Sequence, residues 1–387
     1  MSGGASGIHS RERSGGSQGG AAQRPPAQRE LYIDAFRGLM ALAMVQGHVM
    51  DVLLTPEALT GHWYVFQQMF HGSTAPGFLF ASGFVAGLPR APLSLRASLR
   101  RARRLLFVLG VGYFLHLPFI SLWKTLAAAT PAERAALFAC DALQVIAVTQ
   151  LFVLLLQWAA GRRFTRVAGA LAAAIVAATP FVWDSAWSAS LPEWLRPYFD
   201  AAPGSRFPVF NYSAFVLAGT LAGAALGRVD PRRRRRRALG WGLALLALGA
   251  LFEATFGGRF DFWSVSPAYA LLRLGGLLLL LELVEVVARR EGPGVRALAL
   301  LGHETLLVYV LHLYLLFGGV FGTSPLMAVA GRLGYAAALG VVAAMVPVLL
   351  AAAWAWRQAK HRAPREAQLA LVFLSVLFLY EFLTRGW

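Results

Sequence analysis

Residues 29–51 read RELYIDAFRGLMALAMVQGHVMD, and the fold of the whole chain follows from how this stretch is understood. From Leu31 to Leu54 it is long and apolar enough for a helix that crosses a bilayer, which takes about 20 residues. It nevertheless carries Asp34, Arg37, His48 and Asp51. Ionisable groups are costly in hydrocarbon, and inside a span they mark a pathway or a site. At about 100° and 1.5 Å per residue, His48 stands roughly 16 Å along the axis from Arg37 and about 20° around it, and all four groups fall within an arc of about 100°. One stripe of the helix therefore faces protein or water. The plain alternative is a buried structural salt bridge inside a bundle.

Composition agrees with a membrane setting. Of 387 residues, 57% are hydrophobic and 14% charged, which excludes an ordinary soluble domain. The net charge of +17 would suit nucleic acid, but the charges sit between apolar segments, so no nucleic-acid partner is expected. A single cysteine, Cys140, excludes an internal disulfide framework and a cysteine-rich metal site. No two histidines stand at i, i+4 on one helix, and no metal is expected. Residues 1–29 are rich in Gly and Ser and cannot bury a core, so they read as a disordered tail ahead of a membrane domain over 30–387.

Apolar segments predict an all-α, polytopic membrane helix bundle of about eleven transmembrane helices, near 31–54, 65–88, 104–123, 137–160, 166–184, 208–227, 238–256, 268–288, 298–320, 334–356 and 367–384. Every second connection is basic, with clusters over 90–104, 162–166, 228–237, 289–296 and 357–365 that begin with Arg90 and include Arg228. The positive-inside rule then predicts a cytoplasmic N-terminus. The run PRRRRRR at 231–237 reads as a solvated cytoplasmic anchor.

That topology gives each polar residue a depth. Arg37 lies near the cytoplasmic edge. His48, Asp51, His71, His116, Asp141, Gln144, Asn211, Tyr309 and His312 gather in the outer half. Asp51 stands one turn beyond His48 and is expected to orient it as a general base. His71, read as helix-initial, is either a catalytic group or a cap. His116, ahead of Pro118, is either a site residue or a partner for a freed carbonyl. Tyr309 and His312 share a face and fit either substrate contact or an interhelix hydrogen bond. Asp141, Gln144, Asn211, Tyr309 and His312 are the candidate substrate contacts. Arg100, Arg101 and Arg104 in LRRARRLLF either clamp phosphates with their guanidinium forks or merely fix orientation.

Several blocks carry a resemblance. Arg37 and, after ten residues, His48 in IDAFRGLMALAMVQGH resemble the R-x10-H signature of family-3 membrane acyltransferases. HGSTAPGFLFASGF at 71–84 and LLGHETLLVYVLHLYLLF at 300–317 are similar to blocks of heparan-α-glucosaminide N-acetyltransferase-like bacterial proteins, as are CDALQVIAVTQ at 140–150, FPVFNYSAFVLAGTLAG at 207–223 and SPAYALLRLGGLLLLL at 266–281. The resemblance implies an integral protein of the bacterial cytoplasmic membrane that passes an acyl group, acetyl above all, from cytosolic acyl-CoA to a carbohydrate or glycolipid acceptor. Acyl-CoA would be a co-substrate, with no tightly bound cofactor. Carried over by position, His48 is the base, Arg37 its companion, and Arg100, Arg101 and Arg104 the donor-phosphate contacts. In part of that group the active histidine stands between the first two helices, where this chain has His62 or His71, which leaves a covalent acyl-histidine route open. The alternative from another class is a non-enzymatic lipid or solute transporter.

Overall fold

The computed structural model describes residues 26–88, 94–201, 204–227, 229–319 and 322–386, with side chains from Leu31 onward. Most of the expected tail, together with Arg90 and Arg228, lies outside the described residues.

The chain is an all-α bundle built around α1 (Pro26–Leu53). This helix is buried on nearly every side, by Phe36, Ala41, Val45, Val49 and Leu53 among others, which is the mark of a central helix rather than an amphipathic surface one. It is followed by α2 (His62–His71), α3 (Thr74–Gly87), α4 (Leu95–Leu115), α5 (Ala142–Ala160), α6 (Phe164–Val182), α7 (Val209–Leu226), α8 (Pro231–Phe256), α9 (Pro267–Ala288), α10 (Pro293–His303), α11 (Thr305–Phe317), α12 (Tyr335–Arg362) and α13 (Pro364–Thr384). Helices α2, α3, α9, α10, α11 and α12 all pack on α1. A two-residue antiparallel pair, Gly318–Gly319 with Gly322–Thr323, closes the loop after α11.

Packing follows membrane rules. Helix α3 presents Gly83 and Gly87, and α7 presents Gly219 and Gly223, each pair four residues apart. A Cβ at any of the four would run into the backbone of the facing helix. Between helices already surrounded by apolar groups, close backbone approach through small residues is what holds a pair together. Outside the core, α13 exposes Leu369, Val372, Phe373, Val376 and Leu379, and α8 exposes Leu243, Leu248 and Leu251. Apolar faces of this extent are untenable in water and fit lipid tails.

Helix α2 is amphipathic in the same inverted sense. Tyr64, Gln68 and His71 turn toward Asp51 of α1, and the Gln67 amide pairs with that of Gln46. Trp63, Phe66, Met69 and Phe70 are exposed on the other side.

Several expectations change. Among the described residues, five helical stretches are long and apolar enough to cross a membrane, or six if the bent pair α10–α11 counts as one, so length and composition support fewer spans than eleven. The segment near 65–88 is two helices broken at Gly72 and Ser73. The segment near 298–320 is two helices meeting at Glu304 with an 84° bend. Helix α4 begins at Leu95, capped by the Ser94 hydroxyl accepting from the Ala97 amide, so the arginines expected ahead of a helix starting at Arg104 lie within its first turns. The arginine run after Pro231 is not uniformly solvated. Arg233, Arg235 and Arg236 are exposed, but Arg234 is buried, bonded to Glu282 at 3.2 Å and to Glu285, with its guanidinium over the Tyr32 ring. One residue in the run faces α9 because the helix turns it inward, which a loop would not do.

Candidate functional site

A cavity of about 580 Å³ opens at the end of α1 that carries His48. Its wall brings together His48 from α1, His71 from the end of α2, Thr74 and Phe78 from α3, and His116 just past α4. Asp141 just ahead of α5, Arg206, Tyr212 from α7, Tyr269 from α9, and Tyr309, Tyr314 and Phe317 from α11 line it as well. Three histidines that lie far apart in sequence thus share one space with an aspartate and an arginine.

The expected pairing of His48 with Asp51 is replaced. His48 Nδ1 lies 3.0 Å from His312 Nε2, and His312 Nδ1 lies 3.0 Å from the Val308 carbonyl. His312 is fully buried behind His48 and does not line the cavity. Asp51 instead meets His71, with Oδ2 3.4 Å from Nε2, while Oδ1 accepts from Tyr64 at 3.0 Å and from Gln68 at 2.7 Å. Three residues on a helix turn about 300°, so Asp51 points some 60° away from His48 and toward α2.

His71 ends its helix rather than beginning one. The Thr74 hydroxyl donates to its carbonyl at 2.8 Å, and its Nδ1 finds no partner among the described residues. The imidazole fits against α1 because residue 47 is glycine, where a Cβ would collide with the ring. The rings of His48 and His71 meet edge to face at 5.6 Å.

On the opposite wall, Asp141 is the N-cap of α5. Its side chain accepts from the Ala142 amide at 2.8 Å, and Gln144 completes a capping box by accepting from the Asp141 amide at 3.2 Å. Gln144 is therefore a cap, buried and outside the cavity lining. The other face of the carboxylate is available to the site. Oδ2 accepts from the Tyr309 hydroxyl at 3.0 Å and lies 3.8 Å from His116 Nε2. His116 Nδ1, like that of His71, has no partner among the described residues. Asn211 is a tie rather than a ligand, donating to the Ser264 carbonyl at 3.2 Å and accepting from Thr179 at 3.4 Å.

The expected donor contacts stand elsewhere. Arg37 is 3.4 Å from Asp34, in a charged group that continues from Asp34 to His303 at 3.5 Å. Beside it Lys360 holds Glu304 at 2.6 and 2.7 Å, at the break between α10 and α11. Arg101 donates to Gln150 at 2.6 Å, and Gln150 in turn donates to Ser82. Arg100 and Arg104 are exposed. Arg37, Arg100, Arg101 and Arg104 are all absent from the described cavity lining, which on this side ends at Met44, Phe78 and Leu115. Along α4 the distance from Arg104 to Leu115 is about 16 Å.

Two cations escape a reading of the sequence. Arg206 lines the cavity because its neighbours are pinned: the Ser205 hydroxyl accepts from the Cys140 amide at 2.8 Å, and the Phe207 amide donates to the Cys140 carbonyl at 3.2 Å. Arg273 lies within α9 and repairs the break between α2 and α3, donating to the Met69 carbonyl and, at 2.6 Å, to the Ser73 hydroxyl. Nearby the Tyr269 hydroxyl donates to the Gly72 carbonyl at 2.9 Å. An interrupted helix needs such partners for its freed carbonyls wherever water does not reach them. A charged residue inside an apolar segment is the sequence signal that would have found Arg273.

A family model described as an acyltransferase domain matches residues 30–382, nearly the whole chain. The chain belongs to acyltransferase family 3. The match does not extend to the heparan-α-glucosaminide N-acetyltransferase-like group specifically, and no curated protein matches the sequence at a significant level. The cavity of this family-3 acyltransferase is lined by imidazole, carboxylate, guanidinium and phenol groups, the types that proton transfer and charge stabilisation draw on.

Proposed function

We propose that this family-3 acyltransferase moves an acyl group, acetyl above all, from cytosolic acyl-CoA to a carbohydrate-type acceptor on the far side of a bacterial cytoplasmic membrane. In this reading the eleven helical segments all cross the bilayer and the N-terminus is cytoplasmic. Donor phosphates meet Arg100, Arg101 and Arg104, with Arg37 on the same side. The pantetheine arm then has about 16 Å to cover along α4 before the thioester reaches the cavity. Arg206 lines the cavity and would be the cation offered to a carbonyl oxygen that gains charge, while the Tyr309 hydroxyl is engaged with Asp141.

His48 Nε2 takes the proton from an acceptor hydroxyl or amine as the oxygen or nitrogen attacks the thioester carbon. The tetrahedral intermediate collapses, the C–S bond breaks, and the proton passes from His48 to the departing thiolate, so the products are the ester or amide and free thiol. His71, paired with Asp51, is the second imidazole in the cavity wall. The observation that carries the proposal is the gathering of His48, His71, His116 and Asp141 around one cavity at the opposite end of α1 from Arg37. Aromatic walls from Phe78, Phe207, Tyr212, Tyr269 and Phe317 favour the flat apolar faces of a sugar ring.

The experiment uses purified protein in lipid nanodiscs, offered acetyl-CoA and a panel of sugars, with thiol release and product mass both followed. Wild type should release thiol only when an acceptor is present, and His48→Ala should lose about 10²–10⁴-fold in turnover. Wild-type turnover that survives both His48→Ala and His71→Ala would refute this site.

A further inference from the structure

We infer that His312 is a positioning residue that holds His48 in a single tautomer, the one whose Nε2 bears a free lone pair; the consequence for catalysis rests on the acyl-transfer reading above. The relay starts at a group that has no choice. The Val308 carbonyl can only accept a hydrogen bond, so the nitrogen 3.0 Å from it, His312 Nδ1, carries the hydrogen. A neutral imidazole has one N–H, and His312 Nε2 is therefore a lone pair. His48 Nδ1, 3.0 Å away, must donate to it. The second nitrogen of His48, Nε2, is then left without hydrogen, as a general base requires.

Ring geometry agrees. The two imidazoles are inclined by only 17°, with centroids 5.2 Å apart. With the two nitrogens 3.0 Å apart, that separation is nearly the full length of two rings joined end to end through Nδ1 and Nε2, which puts the N–H of one close to the plane of the other's lone pair. Burial supplies the rest. His312 is shut away from solvent, so water does not compete for Nε2, and the backbone that fixes its Nδ1 belongs to its own helix, α11. The relay Val308–His312–His48 thus starts at a helix carbonyl and ends at the cavity. It assigns to His312 the part that the sequence had given to Asp51, whose carboxylate is occupied by Tyr64, Gln68 and His71.

The test reads tautomer and turnover separately. Protein labelled with ¹⁵N-histidine, in lipid nanodiscs, is compared with His312→Gln and His312→Phe, and His48 resonances are identified by their loss in His48→Gln. In wild type, Nδ1 of His48 should show the protonated, pyrrole-type signal and Nε2 the pyridine-type signal. His312→Phe, which offers no acceptor, should mix the tautomers and lower kcat by about 10-fold or more with KM for either substrate unchanged. His312→Gln, whose Oε1 reaches the place of Nε2, should restore both the signal and most of kcat. A wild-type His48 with hydrogen on Nε2 would overturn the inference without recourse to any variant. So would His312→Phe with the wild-type tautomer, or a folded His312→Gln no better than His312→Phe. A locked tautomer in a protein that turns over no acyl donor would leave the inference standing and bring down the acyl-transfer reading instead.

Discussion

Replacing Gly47 by alanine should separate the chemistry of the site from the stability of the fold. Position 47 lies within α1, where alanine is favoured over glycine by about 1 kcal/mol. The added methyl would collide with the imidazole of His71. Overpacking of this kind forces a side chain or the backbone to shift, at a cost of about 1–3 kcal/mol. The obstacle is a side chain at the end of a short helix, so the cheaper response is for His71 to turn away. It would then give up its 3.4 Å contact with Asp51, while Tyr64 and Gln68 keep that carboxylate satisfied. The two terms leave a net destabilisation of about 0–2 kcal/mol, small for a protein of this size.

The catalytic consequence is larger. A methyl group displaces the ring by an ångström or more, and misplacement on that scale costs about 10²-fold in rate. The assay is thiol release from acyl-CoA in the presence of acceptor, beside thermal unfolding in the same detergent. Gly110→Ala is the control, since a Cβ there meets nothing within 4 Å. If Gly47→Ala unfolds like wild type and also turns over like wild type, the His71–Asp51 pair has no share in the reaction.

Arg234→Met should destabilise the protein by about 3–5 kcal/mol, because it strands two buried carboxylates, Glu282 and Glu285, whereas Arg236→Met on the exposed face should change stability by less than about 1 kcal/mol. Equal thermal unfolding of the two variants would contradict the buried pairing. Arg273→Leu removes the donor to the Met69 carbonyl and the Ser73 hydroxyl at the α2–α3 break, and should cost about 1–3 kcal/mol together with activity, since His71 stands at that break. Unchanged unfolding and turnover would show that the break supports itself. Asp141→Asn keeps a good helix cap and removes a charge from the cavity, so stability should move by less than about 1 kcal/mol while turnover falls at least about tenfold. A drop in stability with turnover intact would confine Asp141 to capping.

Much of the site was legible in one helix. His48, on the polar stripe of a largely apolar helix, announced that α1 turns polar groups inward, and burial of α1 on nearly all sides is the structural counterpart. Asp141 and Tyr309 were both marked as candidate substrate contacts in the outer half, and they meet at 3.0 Å. What misled was the use of sequence distance for contact. One turn separates His48 from Asp51, yet their side chains diverge by about 60° and each finds its partner on another helix. Gln144 and Asn211 are polar residues near the ends of apolar segments, a position that suits a ligand contact and equally suits a cap or a tie.

By itself the sequence determined that this is a helical membrane protein, and it singled out the first helix as the one whose Asp34, Arg37, His48 and Asp51 are too costly to leave facing lipid. It also carried enough pattern over residues 30–382 to mark the acyltransferase family. Tertiary structure alone decided the partners: His312 for His48, Asp51 for His71, Asp141 for His116 and Tyr309, and Arg273 for an interrupted helix. The physical reason is that helix periodicity fixes the direction in which a side chain leaves its own axis. Which group waits there is settled by how the helices pack, and in this chain that packing depends on glycines such as Gly47, Gly83 and Gly219, which bring the backbones and rings within reach.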